Sequence, residues 1–158
     1  MWRVLSKQAV QLTFLVLLPL IYGVVASRLP WLVTVLPAFL VQVVFAVLWF
    51  WAGFRFAAYF QCSVRGCLLG NVLWALSFLL FVWQFFLTDG SNRNYFLAEV
   101  AQWYMHGFLW SGLQIATAFL GDPLIGSHLI MSSYLIMLLT FLSGSFAYAA
   151  LHRTQERP

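Results

Sequence analysis

The sequence predicts an all-α integral membrane protein in which residues 1–158 form one domain, a bundle of five membrane-embedded helices. Hydrophobic residues make up 63% of the chain and charged residues only 8%, whereas soluble domains carry about 25% charged residues. The apolar residues are also grouped into five segments separated by short polar turns. Each segment is long enough to cross a hydrocarbon core of about 30 Å. The predicted helices cover residues 8–27, 31–60, 66–88, 94–121 and 124–151.

The first helix follows a basic start, because Arg3 and Lys7 precede the uncharged run 8–27. A cleaved signal peptide is the alternative interpretation of such a pattern. The apolar region of a signal peptide is about 7–15 residues long. Here the run is longer, and only residues 28–30 join it to the next apolar segment. The segment is therefore predicted to be an uncleaved first span.

The second helix, 31–60, has tryptophans toward both of its ends. Trp31 lies at one end, and Trp49 and Trp51 lie toward the other. Tryptophan is enriched at the two membrane interfaces, so these positions indicate a helix that spans the membrane. Pro37 is expected one to two turns inside this helix.

The third helix, 66–88, has Asn71, Ser77 and Gln84 as its polar members. The sequence Asp-Gly-Ser-Asn at 89–92 is a strong turn signal. It predicts that the third helix ends there.

The last helix, 124–151, begins after a Gly-Asp-Pro break at 121–123. Two pairs of small residues, spaced four apart, lie within 143–149 of this helix. Such pairs allow two membrane helices to approach closely. They predict a face on which a membrane-protein partner or a second copy of the chain packs. Ordinary use of small residues in membrane helices is the alternative interpretation.

The fourth helix, 94–121, differs from the others because its polar residues share one helical face. At about 100° per residue they lie within roughly 120° of arc. Ionisable residues at membrane depth usually face a cavity, so this stripe predicts a ligand site or a path for protons or polar solutes. His128 is expected to approach the same region from the last helix. Contact with interfacial water or lipid headgroups is the alternative. The stripe consists of Glu99, Gln102, His106, Gln114 and Thr117, with Trp103 and Trp110 among them.

The distribution of the Lys and Arg residues helps to decide whether 94–121 crosses the membrane or returns to the side it came from. If it crosses, the eight Lys and Arg residues divide four and four. If it returns, they divide six and two, and the positive-inside rule places both termini in the cytoplasm. A spanning helix nevertheless stays open, because a lone neutral histidine at depth is tolerated inside a bundle. The six are Arg3, Lys7, Arg55, Arg65, Arg153 and Arg157, and the two are Arg28 and Arg93.

The turn between the second and third helices carries two arginines and two cysteines. Arg55 and Arg65 are predicted either to hold lipid phosphate or simply to anchor the topology. Cys62 and Cys67 are predicted to be free thiols if this turn is cytoplasmic, because thiols there are kept reduced, and a disulfide between them is the alternative. Without a nearby histidine or a second cysteine pair, they fall short of a closed zinc site.

The function predicted first is that of a small multi-pass protein of the cell membrane with a cytoplasmic N terminus. It is expected to be a non-enzymatic membrane subunit or a protein that binds lipid or a small ligand. The sequence has no zinc-protease, nucleophile-elbow, phosphate-loop or Cys-x-x-Cys motif, so no metal or cofactor is expected. Its isolated cations do not form the clustered surface that nucleic acid requires. The alternative hypothesis is a transporter, or a transport component, that uses the stripe of 94–121.

Overall fold

A computed structural model describes residues 2–29, 37–61, 63–120 and 126–153, and every regular element among them is helical. The all-α prediction is confirmed. A π-helical turn, Trp83–Leu87, continues the fourth of these helices, and short 3-10 turns cover Gly90–Asn92 and His106–Phe108. The helices are α1 (Trp2–Arg28), α2 (Ala38–Phe60), α3 (Ser63–Gly70), α4 (Val72–Val82), α5 (Tyr95–Trp103), α6 (Leu109–Leu120) and α7 (Gly126–Arg153).

Three helices of the described chain are long and apolar enough to cross a membrane. They include Gln8–Arg28, Ala38–Phe60 and Gly126–His152. A fourth span exists if Val64–Gly70 and Val72–Leu87, which meet at an angle of 53°, count as one broken span. The prediction of a membrane helix bundle is thus supported with three or four spans, and five membrane-embedded helices exceed that number.

The second and fourth predicted helices differ in their extents. Pro37 directly precedes α2 with extended backbone angles (φ −55°, ψ 123°), because its fixed φ and missing N–H suit a helix start better than a helix interior. Trp31 lies outside the described residues. The single helix expected over 94–121 is instead two helices of 9 and 12 residues. At 1.5 Å per residue neither is long enough to cross a hydrocarbon core.

The third predicted helix is interrupted at Asn71. The Asn71 backbone leaves the helical region (φ −105°, ψ 11°), and its side-chain Nδ2 donates a hydrogen bond to the carbonyl of Cys67 at 2.9 Å. A short amide side chain that bonds its own backbone competes with helix continuation. The preceding Gly70 packs so closely on the ring of Phe141 that a Cβ atom would overlap it. The bend therefore brings α3 against α7.

The packing contacts fix the direction of each long element. Tyr22 of α1 lies 4.8 Å from Phe45 of α2, measured between ring centroids, so α1 ends where α2 begins. The indole Nε1 of Trp74 donates to the carbonyl of Tyr134 at 3.0 Å, and Gly70 lies against Phe141. Since residue numbers rise along α7 as they fall along α3 and α4, α7 is antiparallel to the broken span that these two helices form. We call the end at which α1 begins the N-terminal end, and the end near Arg28 and Gly126 the far end.

The segment 95–120 enters the bundle from the far end and returns to it. Its start is tied to the end of the third predicted helix, where the backbone N–H of Asn94 donates to Oε1 of Gln84 at 3.1 Å. Gly107 then packs against the ring of Phe45. Four residues later, Ser111 lies 2.9 Å from the side-chain amide of Gln42. The chain therefore moves back toward the first turns of α2, which lie at the far end.

Glycines bring the backbones of α2 and α7 into direct contact. A Cβ atom on Gly53 would overlap the backbone of Phe141, and one on Gly144 would overlap the backbone of Phe50. Beside them, the hydroxyl of Ser145 donates to the carbonyl of Gly53 at 3.1 Å. Membrane helices associate through close packing and hydrogen bonds, so these contacts hold α2 and α7 tightly together.

Replacing Gly144 by alanine is expected to destabilise the protein. The added methyl group meets backbone atoms that cannot rotate away, and overpacking of this kind costs about 1–3 kcal/mol. The measurement is the unfolding free energy in mild detergent. Gly126→Ala is the matched control, since nothing lies within 4 Å of its added Cβ. Equal stabilities of the two variants would contradict the close contact between α2 and α7.

Cysteine labelling tests the path of the chain. Single cysteines at Ser91 and Gly126, in a background without the native cysteines, should be labelled from the same side of the membrane. Cysteines at Gln61 and His152 should be labelled from the other side, because α2 and α7 both end at the N-terminal end. Labelling of positions 91 and 126 from opposite sides would instead mean that segment 95–120 crosses.

Candidate functional site

Most of the predicted polar stripe lies on the outside of the bundle. Glu99 is exposed, and its Oε1 accepts a hydrogen bond from Nε1 of Trp103 at 3.4 Å. Gln114 and Thr117 are exposed too, and the hydroxyl of Thr117 bonds the carbonyl of Leu113 in its own helix at 2.7 Å. The break after Trp103 changes the direction of the segment, so residues on either side of it no longer form one continuous face.

None of the remaining predicted residues lines either of the two grooves described below. Gln102 is half-buried and donates to Ala98 of its own helix at 3.1 Å, while Trp110 is exposed. His106 and His128 are both half-buried, and the buried Nδ1 atom of His128 has no hydrogen-bond partner among the described residues. Since Gly112 packs on Leu129, His128 lies beside the later turns of α6, away from Glu99. The predicted path stays a prediction.

Hydrogen bonds from side-chain hydroxyl groups stabilise the break between α5 and α6, and the sequence did not predict this role for them. The carbonyl of Ala101 belongs to the last turn of α5, where helical carbonyls lack an intrahelical partner. The hydroxyls of Ser77, at 3.0 Å, and of Tyr134 both lie within hydrogen-bond distance of it, and these two hydroxyls are 2.6 Å from each other. Since each hydroxyl has one proton, at least one of them donates to the carbonyl, and the three groups form one hydrogen-bonded cluster. The hydroxyl of Tyr104 reaches the carbonyl of Val16 at 3.1 Å. These bonds join the break to α1, α4 and α7.

An apolar groove of about 440 Å³ opens between α1 and the broken span α3–α4. These two elements do not pack closely against each other. Leu73 also lines a second space of about 200 Å³, which continues toward Leu20 and Tyr104. The first groove is lined by Leu12 and Val16 of α1, Phe56 and Phe60 of α2, and Leu69 and Leu73 of the broken span.

The groove has a polar end at the N-terminal end of the bundle. A cleft of about 100 Å³ lies there, lined by Gln8, Arg55 and Tyr59 together with Leu12 and Ala58. Leu12 and Tyr59 also line the apolar groove, so the two spaces adjoin. A cavity with apolar walls and a few convergent polar groups at one end is the usual form of a ligand site. The sequence singled out Arg55 but could not pair it with this groove.

A second groove, of about 640 Å³, lies at the bend of the third span. It is lined by Cys67, Asn71 and Trp74 and by Leu138 and Leu142 of α7, among others. Asn71 lies in its wall, but the Oδ1 atom of this side chain is itself buried and has no hydrogen-bond partner in the described part of the chain. Among the described residues, no charged side chain lines this groove. The groove with Arg55 at its end therefore offers more specific recognition.

The thiols and carboxylates are the remaining candidates for a reactive site. Cys67 is a half-buried free thiol, whereas Cys62 lies outside the described residues. Within residues 2–29, 37–61, 63–120 and 126–153, no group of three or more His, Cys, Asp or Glu side chains is arranged to hold a metal ion.

In comparisons with known proteins, the chain matches no family model, no curated protein and no solved structure.

The hydroxyls of Ser77 and Tyr134 at the Ala101 carbonyl should be energetically coupled. Tyr134→Phe or Ser77→Ala alone is expected to cost about 1 kcal/mol or less, a usual value for one hydrogen bond inside a membrane protein. The cost of the double variant should differ from the sum of the two single costs, because the two hydroxyls share one carbonyl and also contact each other at 2.6 Å. Unfolding free energies in detergent give the comparison, with Tyr95→Phe, at a 79% exposed position, as control. Simple additivity would contradict a shared carbonyl.

Proposed function

We propose that this protein is a non-enzymatic, multi-pass membrane protein that binds a lipid, with the lipid chain lying in the groove between α1 and α3–α4. The observation that carries the proposal is the groove itself, because it joins an apolar space of about 440 Å³ to a polar cleft that contains Arg55. An amphiphile has the same two parts in the same order.

The extended shape of the groove suits a lipid chain. The apolar groove of about 440 Å³ adjoins, at Leu73, a second space of about 200 Å³. A flexible hydrocarbon chain can follow the groove from Leu12 past Leu73 toward Leu20. Those positions on α1 are eight residues apart, or about 12 Å along the helix axis.

The charge distribution gives the proposed orientation. If α3–α4 is one broken span and 95–120 is a re-entrant segment, Arg28 and Arg93 belong to the far end, and five cations belong to elements that lie toward the N-terminal end: Arg3, Lys7, Arg55, Arg65 and Arg153. Arg157 follows α7 in the sequence and is counted with these five. The positive-inside rule then places both termini in the cytoplasm. The polar end of the groove would face the cytoplasmic leaflet.

The two other hypotheses have weaker support. The small-residue face of 143–149 is partly used within the chain, because Ser145 is buried against Gly53, while Ser143 is exposed and bonds its own helix at Leu139. A partner or a second copy on the remaining face stays a prediction. Transport along the stripe would need its side chains to share a cavity, and they line neither of the two grooves described above.

Leu73→Trp tests the groove, because Leu73 lines both of its apolar spaces. The larger side chain should fill the groove and reduce binding of a spin-labelled phospholipid to the purified protein by at least several-fold. Leu79→Trp makes the same change on the 62% exposed outer side of α4 and should leave binding unchanged.

Two outcomes of this experiment argue against the proposal. If both variants retain the immobilised lipid component of the wild type, the groove holds no chain. If Leu73→Trp instead displaces a co-purified protein or dissociates an oligomer, the groove is an interface. Circular dichroism and gel filtration of both variants show that the comparison is made between folded proteins.

A further inference from the structure

We propose that the bound lipid carries an anionic headgroup, whose oxygens are held by the guanidinium of Arg55 with help from Gln8 and Tyr59. This inference rests on the proposed function and names the class of lipid that the groove accepts. The charge, the neighbours and the position of Arg55 support it.

Arg55 has no negatively charged partner within the described part of the chain. The carboxylates there are Asp89 and Glu99, and both belong to the far half of the bundle, near the end of the third span and on α5. Arg55 is half-buried, and its guanidinium lies 5.7 Å from the ring centroid of Trp51. A partly buried cation whose only described partner is an aromatic ring retains its capacity to bind an anion.

The neighbours of Arg55 supply further hydrogen-bond donors. The amide of Gln8 and the hydroxyl of Tyr59 line the same cleft of about 100 Å³, and both can donate. The planar guanidinium presents paired N–H groups that match phosphate and carboxylate oxygens. The cleft is thus suited to a compact anionic group.

The position of Arg55 fits a lipid headgroup. Arg55 lies about one and a half turns before the end of α2 at Phe60, close to the depth at which long basic side chains reach the membrane interface. The apolar groove begins directly beside the cleft, at Leu12 and Tyr59. An acidic phospholipid can therefore place its phosphate in the cleft and its chain in the groove at the same time. Because the two spaces adjoin, this arrangement favours an acidic phospholipid over free phosphate.

The experiment compares two spin-labelled lipids with identical chains, phosphatidylglycerol and phosphatidylcholine, bound to the full-length protein in phosphatidylcholine nanodiscs. The wild type should prefer phosphatidylglycerol by about fivefold, the size expected for one cation near an anionic headgroup. Arg55→Gln should remove this preference and keep the binding of phosphatidylcholine. Arg55→Lys should retain part of it, because the charge remains while the paired donors are lost.

Arg65→Gln is the matched control. It removes the same charge from the same end of the bundle, but Arg65 is exposed and does not line the cleft. An equal loss of preference in Arg55→Gln and Arg65→Gln would overturn the inference in favour of a general surface potential. An unchanged preference in Arg55→Gln would overturn it as well.

Two further arms distinguish the headgroup site from the chain site and from a site for free anions. Leu73→Trp should weaken both lipids in equal proportion, so that the preference ratio is kept while total binding falls. If Leu73→Trp leaves the binding of both lipids unchanged, the proposed function is wrong. If Leu73→Trp reduces binding but Arg55→Gln leaves the preference for phosphatidylglycerol unchanged, only the headgroup site is wrong. Millimolar inorganic phosphate should not displace spin-labelled phosphatidylglycerol. Displacement by phosphate as effective as that by the lipid would identify a free-anion site and overturn the assignment.

Discussion

The hydrogen bonds to the carbonyl of Ala101 are the interaction on which the rest of the arrangement depends. A helix that breaks inside a bundle leaves carbonyl groups without partners, and in a membrane there is no water to bond them. Ser77 from α4 and Tyr134 from α7 meet this need at one atom. The same contact fixes how far segment 95–120 enters and which two helices stand beside it.

The depth of that segment in turn explains the groove. In the far half of the bundle the segment fills the space between α1 and α4, where Gly23 packs directly on the backbone of Trp103. The hydroxyl of Tyr104 donates to the carbonyl of Val16. Toward the N-terminal end the groove is lined by α1, by the end of α2 and by the broken span, and no described residue of 95–120 lines it. The groove is the space that the short segment does not reach.

The packing of α1 against α2 places polar side chains from both helices at the N-terminal end of the groove. The end of α2 brings Arg55 and Tyr59 next to Gln8, which lies in the first half of α1. Two helices that run in opposite directions necessarily bring the end of one to the start of the other. Because membrane helices concentrate their polar residues near their ends, a groove that runs along such helices has a polar end and an apolar interior.

The sequence by itself determined the class of the protein and the approximate positions of its long helices, since hydropathy is a local property that a span of about 20 residues expresses directly. It also determined the turn at 89–92, where Asn92 bonds back to Asp89. The charge count that favours re-entry was equally available, although it could not exclude a crossing helix. Only the tertiary structure decided that 94–121 breaks, because Tyr104 and Met105 carry no breaker signal and the break is stabilised by Ser77 and Tyr134, residues distant in sequence. That Arg55 and Gln8 line the same cleft was likewise decided by the packing of two helices, which no spacing within either helix specifies.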